Sequence, residues 1–184
     1  GSTGFALELD PEELSGVIRR FQDTCAAVIK HFGGYIGRFM GDGLLVYFGY
    51  PQAHEDDAER AVRAGLDIVA KVGQLLLPSG EPLQVRVGIA TGPVVVGQTI
   101  GEGSAQEQAV FGETPNLAAH LQQLAAPNSV LVAATTHCLL GSAFVCADLG
   151  RVEVKGKSKP VAAWRIISES VMESRFEATR PKRH

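Results

Sequence analysis

The chain has 184 residues, of which 45% are hydrophobic and 20% charged, a balance typical of one compact domain with a full core. The formal net charge of −3 gives no basic field of the kind that binds nucleic acid. Because the sequence also has no signal peptide and no long apolar run, we expect a soluble, cytoplasmic chain that contacts neither nucleic acid nor membrane.

The first predicted element is a helix. Asp10 is a favourable N-cap, Pro11 suits the first helical position, and Glu13 can complete a capping box. Apolar residues then recur at helical spacing as far as Cys25 and beyond, which predicts one buried face. Two glycines at 33–34 end the helix.

A β-hairpin follows, with predicted arms at residues 35–39 and 44–48. Asp42 lies at its tip, between Gly41 and Gly43. Asp-Gly between alternating apolar residues is an ordinary turn sequence, so this stretch alone favours a structural role for the acid.

Residues 53–72 predict a second helix, and its start contains His54, Glu55, Asp56 and Asp57. These side chains could suggest a metal cluster. Acids in a first helical turn also offset the macrodipole and cap free N–H groups, and we favour that interpretation.

The remaining elements are predicted from shorter patterns. Residues 83–97 predict a strand pair bent at Gly92-Pro93, and a third helix follows with Thr114 as N-cap and Pro115 at its first position. The later segments are a short buried strand at 129–133, a short helix at 133–140, and strands at 144–150, 151–154 and 161–167.

Helices interleaved with hairpins, instead of strict βαβ alternation, indicate an α+β domain with one largely antiparallel sheet. The order begins with a helix that has no strand to pack on, so a first strand is missing from the front. We assign residues 1–167 to this domain and residues 168–184 to a charged linker or tail.

The three cysteines, Cys25, Cys138 and Cys146, are odd in number and widely spaced. No pair has metal-ligand spacing, and the set does not indicate a disulfide framework. We expect all three to be buried thiols in a reducing compartment.

Four segments of the sequence are more informative as a set than separately. "GRFMGDGLLVYFG", "VRVGIATGPVVVG", "VFGETPNLAAHLQ" and "EVKGKSKP" resemble, in order and spacing, the motifs of class III adenylate and guanylate cyclase catalytic domains. The resemblance extends from Gly1 to about Ile167 and is strongest to bacterial cyclase domains that precede an ATPase module in multidomain proteins. It implies a ferredoxin-like sheet with flanking helices, a head-to-tail homodimer with shared sites, and a fused ATPase-type domain in the parent protein.

The activity that the resemblance implies is conversion of ATP to cyclic AMP and pyrophosphate. The ribose 3′ oxygen attacks the α-phosphate, assisted by two divalent cations, Mg²⁺ or Mn²⁺, that bind the phosphate oxygens. We expect the nucleoside triphosphate to be ATP in preference to GTP, although no residue fixes the base.

Metal and phosphate contacts are implied at two places. Asp42 matches the second metal-binding Asp of the family, and Gly41 leaves room for metal and phosphates to approach the backbone. The first metal-binding Asp would precede Gly1, so the domain is N-terminally incomplete in this respect. Gly1, Ser2 and Thr3 match the end of a turn whose N–H groups cradle phosphates, with a tag remnant as the alternative.

Asn116 matches the Asn that orients the ribose at the reacting centre. Lys155 matches a lysine that holds the terminal phosphates, and Lys157 is the weaker candidate for that role. A solvated loop is the ordinary alternative for both lysines.

Three positions depart from the better-known pattern. Arg38 stands where adenylyl cyclases often carry a base-reading Lys, and Ala109 stands where they carry an Asp or Thr that contacts the purine. His120 stands where a transition-state Arg is expected, one turn after Asn116 and on the same helix face.

These departures keep a second function open. It is a weakly active or inactive cyclase-like domain with a regulatory or dimerisation role. A palm-like diguanylate cyclase is disfavoured, because "GGYIG" lacks the acidic residue of that family's hairpin signature.

Overall fold

In the computed structural model, the described residues are 10–40, 43–100, 107–111, 113–154 and 159–170. The helices are α1 (Pro11–His31), α2 (Asp57–Val72), α3 (Glu113–Leu124) and α4 (Ala134–Leu140). The strands are β1 (Tyr35–Met40), β2 (Gly43–Tyr47), β3 (Arg86–Ile89), β4 (Val95–Ile100), β5 (Glu107–Phe111), β6 (Ser129–Ala133), β7 (Phe144–Val152) and β8 (Val161–Glu169). Among these helices, none combines the length and the hydropathy that crossing a bilayer requires.

The centre of the domain is a four-stranded sheet in the order β3-β6-β8-β7. β3 and β6 run parallel, whereas β6–β8 and β7–β8 are antiparallel, which confirms the mixed α+β class. One face packs through Val130 and Val132 against Val62 of α2 and Leu140 of α4. The opposite face packs through Leu131 and Ala133 against α3. All five residues of β6 are buried as a result.

Two antiparallel ribbons accompany this sheet. β1 pairs with β2 as the predicted hairpin, and its last paired residues are Met40 and Gly43. Its inner face packs through Ile36, Leu44 and Val46 against α1 and α2. β4 pairs with β5 to form the second ribbon.

A cleft of about 530 Å³ separates β2 from β3. Consecutive residues of both strands line it, together with residues of α1, α2 and α3. Within the described part of the chain, β2 pairs only with β1 and β3 pairs only with β6, so each strand presents an unpaired edge beside the cleft.

α1 begins as the sequence predicts. Asp10 is the N-cap, and its carboxylate accepts a hydrogen bond of 2.8 Å from the Glu13 N–H. Pro11 follows at the first position, and Gly33 takes a φ of 79° just after the helix, a backbone conformation that favours glycine.

The strand predictions need two corrections. Residues 83–97 are not a strand pair, because β3 pairs with β6 and β4 pairs with β5. The strand β5 itself was not predicted. Residues 144–150 and 151–154 were predicted as separate strands, but β7 is continuous to Val152. A register shift between Asp148 and Arg151 absorbs the irregularity, and the Gly150 N–H donates a hydrogen bond of 2.7 Å to Asp148 Oδ1.

Two residue-level predictions were also wrong. α3 begins at Glu113, so Thr114 lies inside the first turn instead of at the N-cap. Cys25 is buried, but Cys138 is exposed and Cys146 is half-buried. α4 buries Thr136 and Leu140, and Cys138 lies midway between them along the helix, so its side chain points away from the core.

Candidate active site

Helix α3 carries Asn116 and His120. Leu121 is fully buried, and Leu117 packs beside it against the sheet. These residues fix one side of the helix to the core. Asn116 is exposed and His120 half-buried, and a spacing of four residues places both on the other side. The structure therefore brings these two predicted site residues together.

Gly88 of β3 allows α3 to lie unusually close to the sheet. A Cβ atom at this position would overlap the Ala118 carbonyl oxygen and the Gln122 backbone nitrogen. The helix backbone therefore rests directly on the strand backbone. Gly88 was not predicted as a site residue, because its only local signal is a glycine inside a strand pattern.

The segment after β3 is held by α4. The Thr135 hydroxyl donates a hydrogen bond of 2.8 Å to the Thr91 carbonyl oxygen, and the Thr91 and Thr136 hydroxyls lie 2.8 Å apart. Thr136 is fully buried. The neighbouring Gly92 faces the Thr114 side chain at the start of α3. This threonine network was not predicted, because the adjacent Thr135 and Thr136 are only a weak signal for it.

Arg38 and Ala109 lie on neighbouring strands. Arg38 is exposed on β1, where its backbone pairs with Leu45 of β2. Ala109 lies on β5, and β5 contacts β1 within the same chain. The two positions that the resemblance links to the base therefore belong to adjacent elements of one copy.

The other predicted site residues lie outside the described residues. They are Gly1, Ser2, Thr3, Gly41, Asp42 and Lys155. Positions 41 and 42 connect Met40 to Gly43, which are paired across β1 and β2. Within the described ranges, no group of three or more His, Cys, Asp or Glu side chains could hold a metal ion.

The base of the β1–β2 ribbon is packed by three tyrosines. The ring centroids of Tyr35 and Tyr47 are 6.3 Å apart, and those of Tyr35 and Tyr50 are 5.1 Å apart. The Tyr47 ring also fills the position of a Cβ at Gly37. Burial, followed by the nearby Tyr35 and Tyr50, raises the pKa of Tyr47. Its buried hydroxyl has no hydrogen-bond partner among the described residues.

The acidic residues around the start of α2 make local contacts. Asp57 Oδ2 accepts a hydrogen bond of 2.7 Å from the His54 N–H. Asp56 Oδ1 lies 2.9 Å from Arg60 Nε. The hydrogen bond from the Arg60 side chain is the main cause that lowers the pKa of Asp56. The carboxylates are thus used in organising the start of the helix.

Comparisons with known proteins agree with this architecture. The sequence profile of the adenylate and guanylate cyclase catalytic domain matches residues 1–168. The guanylate cyclase soluble subunit beta-2 of Rattus norvegicus is 34% identical over 122 residues, which are 65% of this chain and 18% of that protein. An adenylate cyclase of Mycobacterium tuberculosis is 27% identical over 171 residues, 93% of this chain and 38% of that enzyme. The chain thus spans well under half the length of these relatives.

Among solved structures, the guanylate cyclase domain of RhGC from Catenaria anguillulae, in complex with GTP, superposes with a TM-score of 0.85. The match covers 91% of each chain at 23% sequence identity, which supports the fold. With the sequence profile matched over nearly the whole length, the chain belongs to the adenylate and guanylate cyclase catalytic domain family.

Proposed function

We propose that this nucleotide cyclase domain acts on ATP and forms cyclic AMP and pyrophosphate at sites shared between two copies of the chain. The observation that carries the proposal is the arrangement of α3. Its buried side is fixed to the sheet, while Asn116 and His120 project together from the other side.

Asn116 and His120 have the chemistry that the reaction needs. The Asn116 amide can both donate and accept hydrogen bonds and is suited to orienting the ribose, whose 3′ oxygen must lie in line with the α-phosphate. His120, one turn further along, donates a hydrogen bond to a phosphoryl oxygen as negative charge moves onto the leaving pyrophosphate. Lys155 holds the terminal phosphates.

The donor at the hairpin tip suits a divalent cation. Asp42 offers a carboxylate, the ligand that Mg²⁺ and Mn²⁺ prefer, and the flanking glycines place no side chain beside it. Two such cations would bind phosphate oxygens and lower the pKa of the attacking hydroxyl. Asp42 would supply one ligand. Phosphate oxygens of the nucleotide, and other residues that the structure does not describe, would supply the rest.

The directions in which α3 presents its residues support the shared site. Pro115, Ala118 and Gln122 of this helix line the cleft beside β2. Asn116 is exposed and His120 half-buried on the side of α3 that does not pack on the sheet, so this side is accessible to a partner. A second copy, related by a twofold axis, would bring its hairpin to this exposed side and form two equivalent sites.

The preference for ATP is the less constrained part of the proposal. Ala109 has no side-chain donor or acceptor for the purine, whereas Arg38 on the adjacent β1 offers a fork of donors. His120 supports the second candidate function, a weakly active or regulatory domain, because an imidazole offers fewer donors than the guanidinium expected there.

The test is product analysis with the intact protein. ATP or GTP is supplied with Mg²⁺ or Mn²⁺, and cyclic AMP and cyclic GMP are separated and identified by mass spectrometry. We expect cyclic AMP to exceed cyclic GMP, and Asn116→Ala to reduce its formation by on the order of a hundredfold. Gln74→Ala, at an exposed position just after α2, is the control and should retain activity. Nucleotide binding without any cyclic product would overturn the proposal and favour the regulatory alternative.

A further inference from the structure

We propose that the contact between Gly92 and Thr114 positions the first turn of α3, and with it Asn116, so that Gly92 is a positioning residue for the cyclase reaction. The inference rests on the proposed function only in the role given to Asn116 and His120. The contact itself connects the segment after β3 with the start of the helix.

No side chain fits between the two residues. A Cβ built on Gly92 would lie 2.6 Å from Thr114 Oγ1 and 3.7 Å from both Thr114 Cβ and Cγ2. Real Cβ atoms essentially never approach a heavy atom within 3.0 Å, so the hydroxyl must move if a methyl group is added. The backbone of Gly92 is not in the left-handed region, so the steric contact is the whole effect.

The Gly92 side of the contact is anchored through the preceding residue. Thr91 accepts the hydrogen bond from Thr135 through its carbonyl oxygen and shares another with Thr136 through its hydroxyl. Thr136 is fully buried, and Leu140 on the same helix is packed in the main core. Because interiors are close-packed, a shift of this segment would disturb α4 as well.

The Thr114 side of the contact is therefore the one that moves. A Thr side chain in a helix has two common χ1 rotamers, so the hydroxyl has one alternative position, and beyond that the turn itself must move. The middle of the helix lies directly on β3, because its backbone at Ala118 and Gln122 contacts Gly88. We infer a tilt about that point, which displaces the turn containing Asn116 more than it displaces Leu121.

Such a tilt has a catalytic consequence, because misplacement of a reacting group by about 1 Å can cost on the order of a hundredfold in rate. The experiment compares Gly92→Ala with wild type in the intact protein at saturating nucleotide and metal. We expect kcat to fall tenfold or more, with a smaller change in KM and a melting temperature close to that of wild type. Gly16→Ala is the matched control, since a Cβ there meets nothing within 4 Å.

Second-site variants separate positioning from general damage. Thr114→Ala removes Oγ1, so Gly92→Ala/Thr114→Ala should recover most of the lost kcat. Thr114→Val places a methyl group where the hydroxyl was, so Gly92→Ala/Thr114→Val should stay slow. Wild-type kcat in Gly92→Ala, or no recovery with Thr114→Ala, would overturn the proposal.

A measurement independent of catalysis keeps the two proposals apart. The imidazole signals of His120, assigned with His120→Gln, are followed by ¹H–¹³C NMR. They should shift in Gly92→Ala, return with Thr114→Ala and remain shifted with Thr114→Val. If wild type forms no cyclic nucleotide, the proposed function fails, and these spectra alone decide whether the contact positions α3. Unchanged signals in Gly92→Ala would count against it.

Discussion

The four-stranded sheet and the two ribbons differ in how completely their strands are buried and paired. β6 is buried on both faces and paired on both edges, so the sheet can hold α3 in a fixed place. Each ribbon strand is paired with a single neighbour in the described part of the chain, and Phe39 and Val95 remain 47% and 61% exposed. Two-stranded ribbons are marginal by themselves. Asn116 and His120 therefore stand on the tightly packed part of the domain, whereas Arg38 stands on a ribbon, and the proposed shared site would require these two parts to meet across two copies.

The largest expected effect tests whether ribbon and sheet residues meet across two copies. Asp42→Ala and Asn116→Ala should each lower cyclic nucleotide formation in the intact protein by on the order of a hundredfold or more. After mixing and exchange of subunits, a mixed dimer has one site with both lesions and one with neither. With random pairing, about a quarter of the wild-type activity should return. Heterodimers that form, as shown by two affinity tags, but remain inactive would contradict the shared site.

The next effect concerns stability and separates the two halves directly. Leu121→Ala should lower the free energy of unfolding by about 2–5 kcal/mol, because it opens a cavity between α3 and the sheet. Val95→Ala, on an exposed ribbon position, should change it by less than about 0.5 kcal/mol. Urea denaturation of both variants measures the difference. Equal losses would mean that the ribbon is as tightly packed as the sheet.

A smaller effect is expected at His120. Arginine is permanently charged and can present several donors to phosphoryl oxygens, so His120→Arg should raise kcat about tenfold. Gln74→Arg, which adds the same charge at an exposed position just after α2, should leave kcat within about twofold, as a surface change would. A slower His120→Arg enzyme would indicate that the site has adapted to an imidazole and has no space for the longer side chain.

The smallest expected effect concerns the order in which the three cysteines react with an alkylating reagent. Burial raises the pKa of the Cys25 thiol to about 12, and burial also raises that of Cys146, so both hold little reactive thiolate at pH 8. Cys138 is exposed. Alkylation followed by mass spectrometry should therefore modify Cys138 first, with Cys138→Ser as control. Cys25 packs beneath the β1–β2 ribbon, so early modification there would show that this half opens separately from the sheet.

Local signals predicted the parts of the fold that depend on neighbouring residues. The start of α1 follows from Asp10 and Pro11, and the β1–β2 hairpin follows from alternating residues around Asp42. The pairing of β3 was predicted wrongly, because Gly92-Pro93 looks like a hairpin bend. Its partner, β6, is distant in sequence and parallel, and parallel strands need a long crossover that no short pattern specifies.

The candidate site, too, was predictable from the sequence only where it depends on neighbouring residues. Helical spacing predicts that Asn116 and His120 share a side of α3, and the structure agrees. The close approaches at Gly88 and Gly92 depend on residues of α3 that come much later in the chain, so nothing in the neighbouring sequence identifies them. The roles of Asp42 and Lys155 remain predictions from the resemblance.

The central position of β6 also determines how rarely its backbone amides are exposed to solvent. Its amides are hydrogen-bonded between β3 and β8, under α2 and α4 on one face and α3 on the other. Successive amides point to opposite edges of the strand, so exposing all of them requires breaking both pairings. Hydrogen exchange at Val130 to Val132 should therefore report global unfolding, while the ribbons exchange through smaller and more frequent openings.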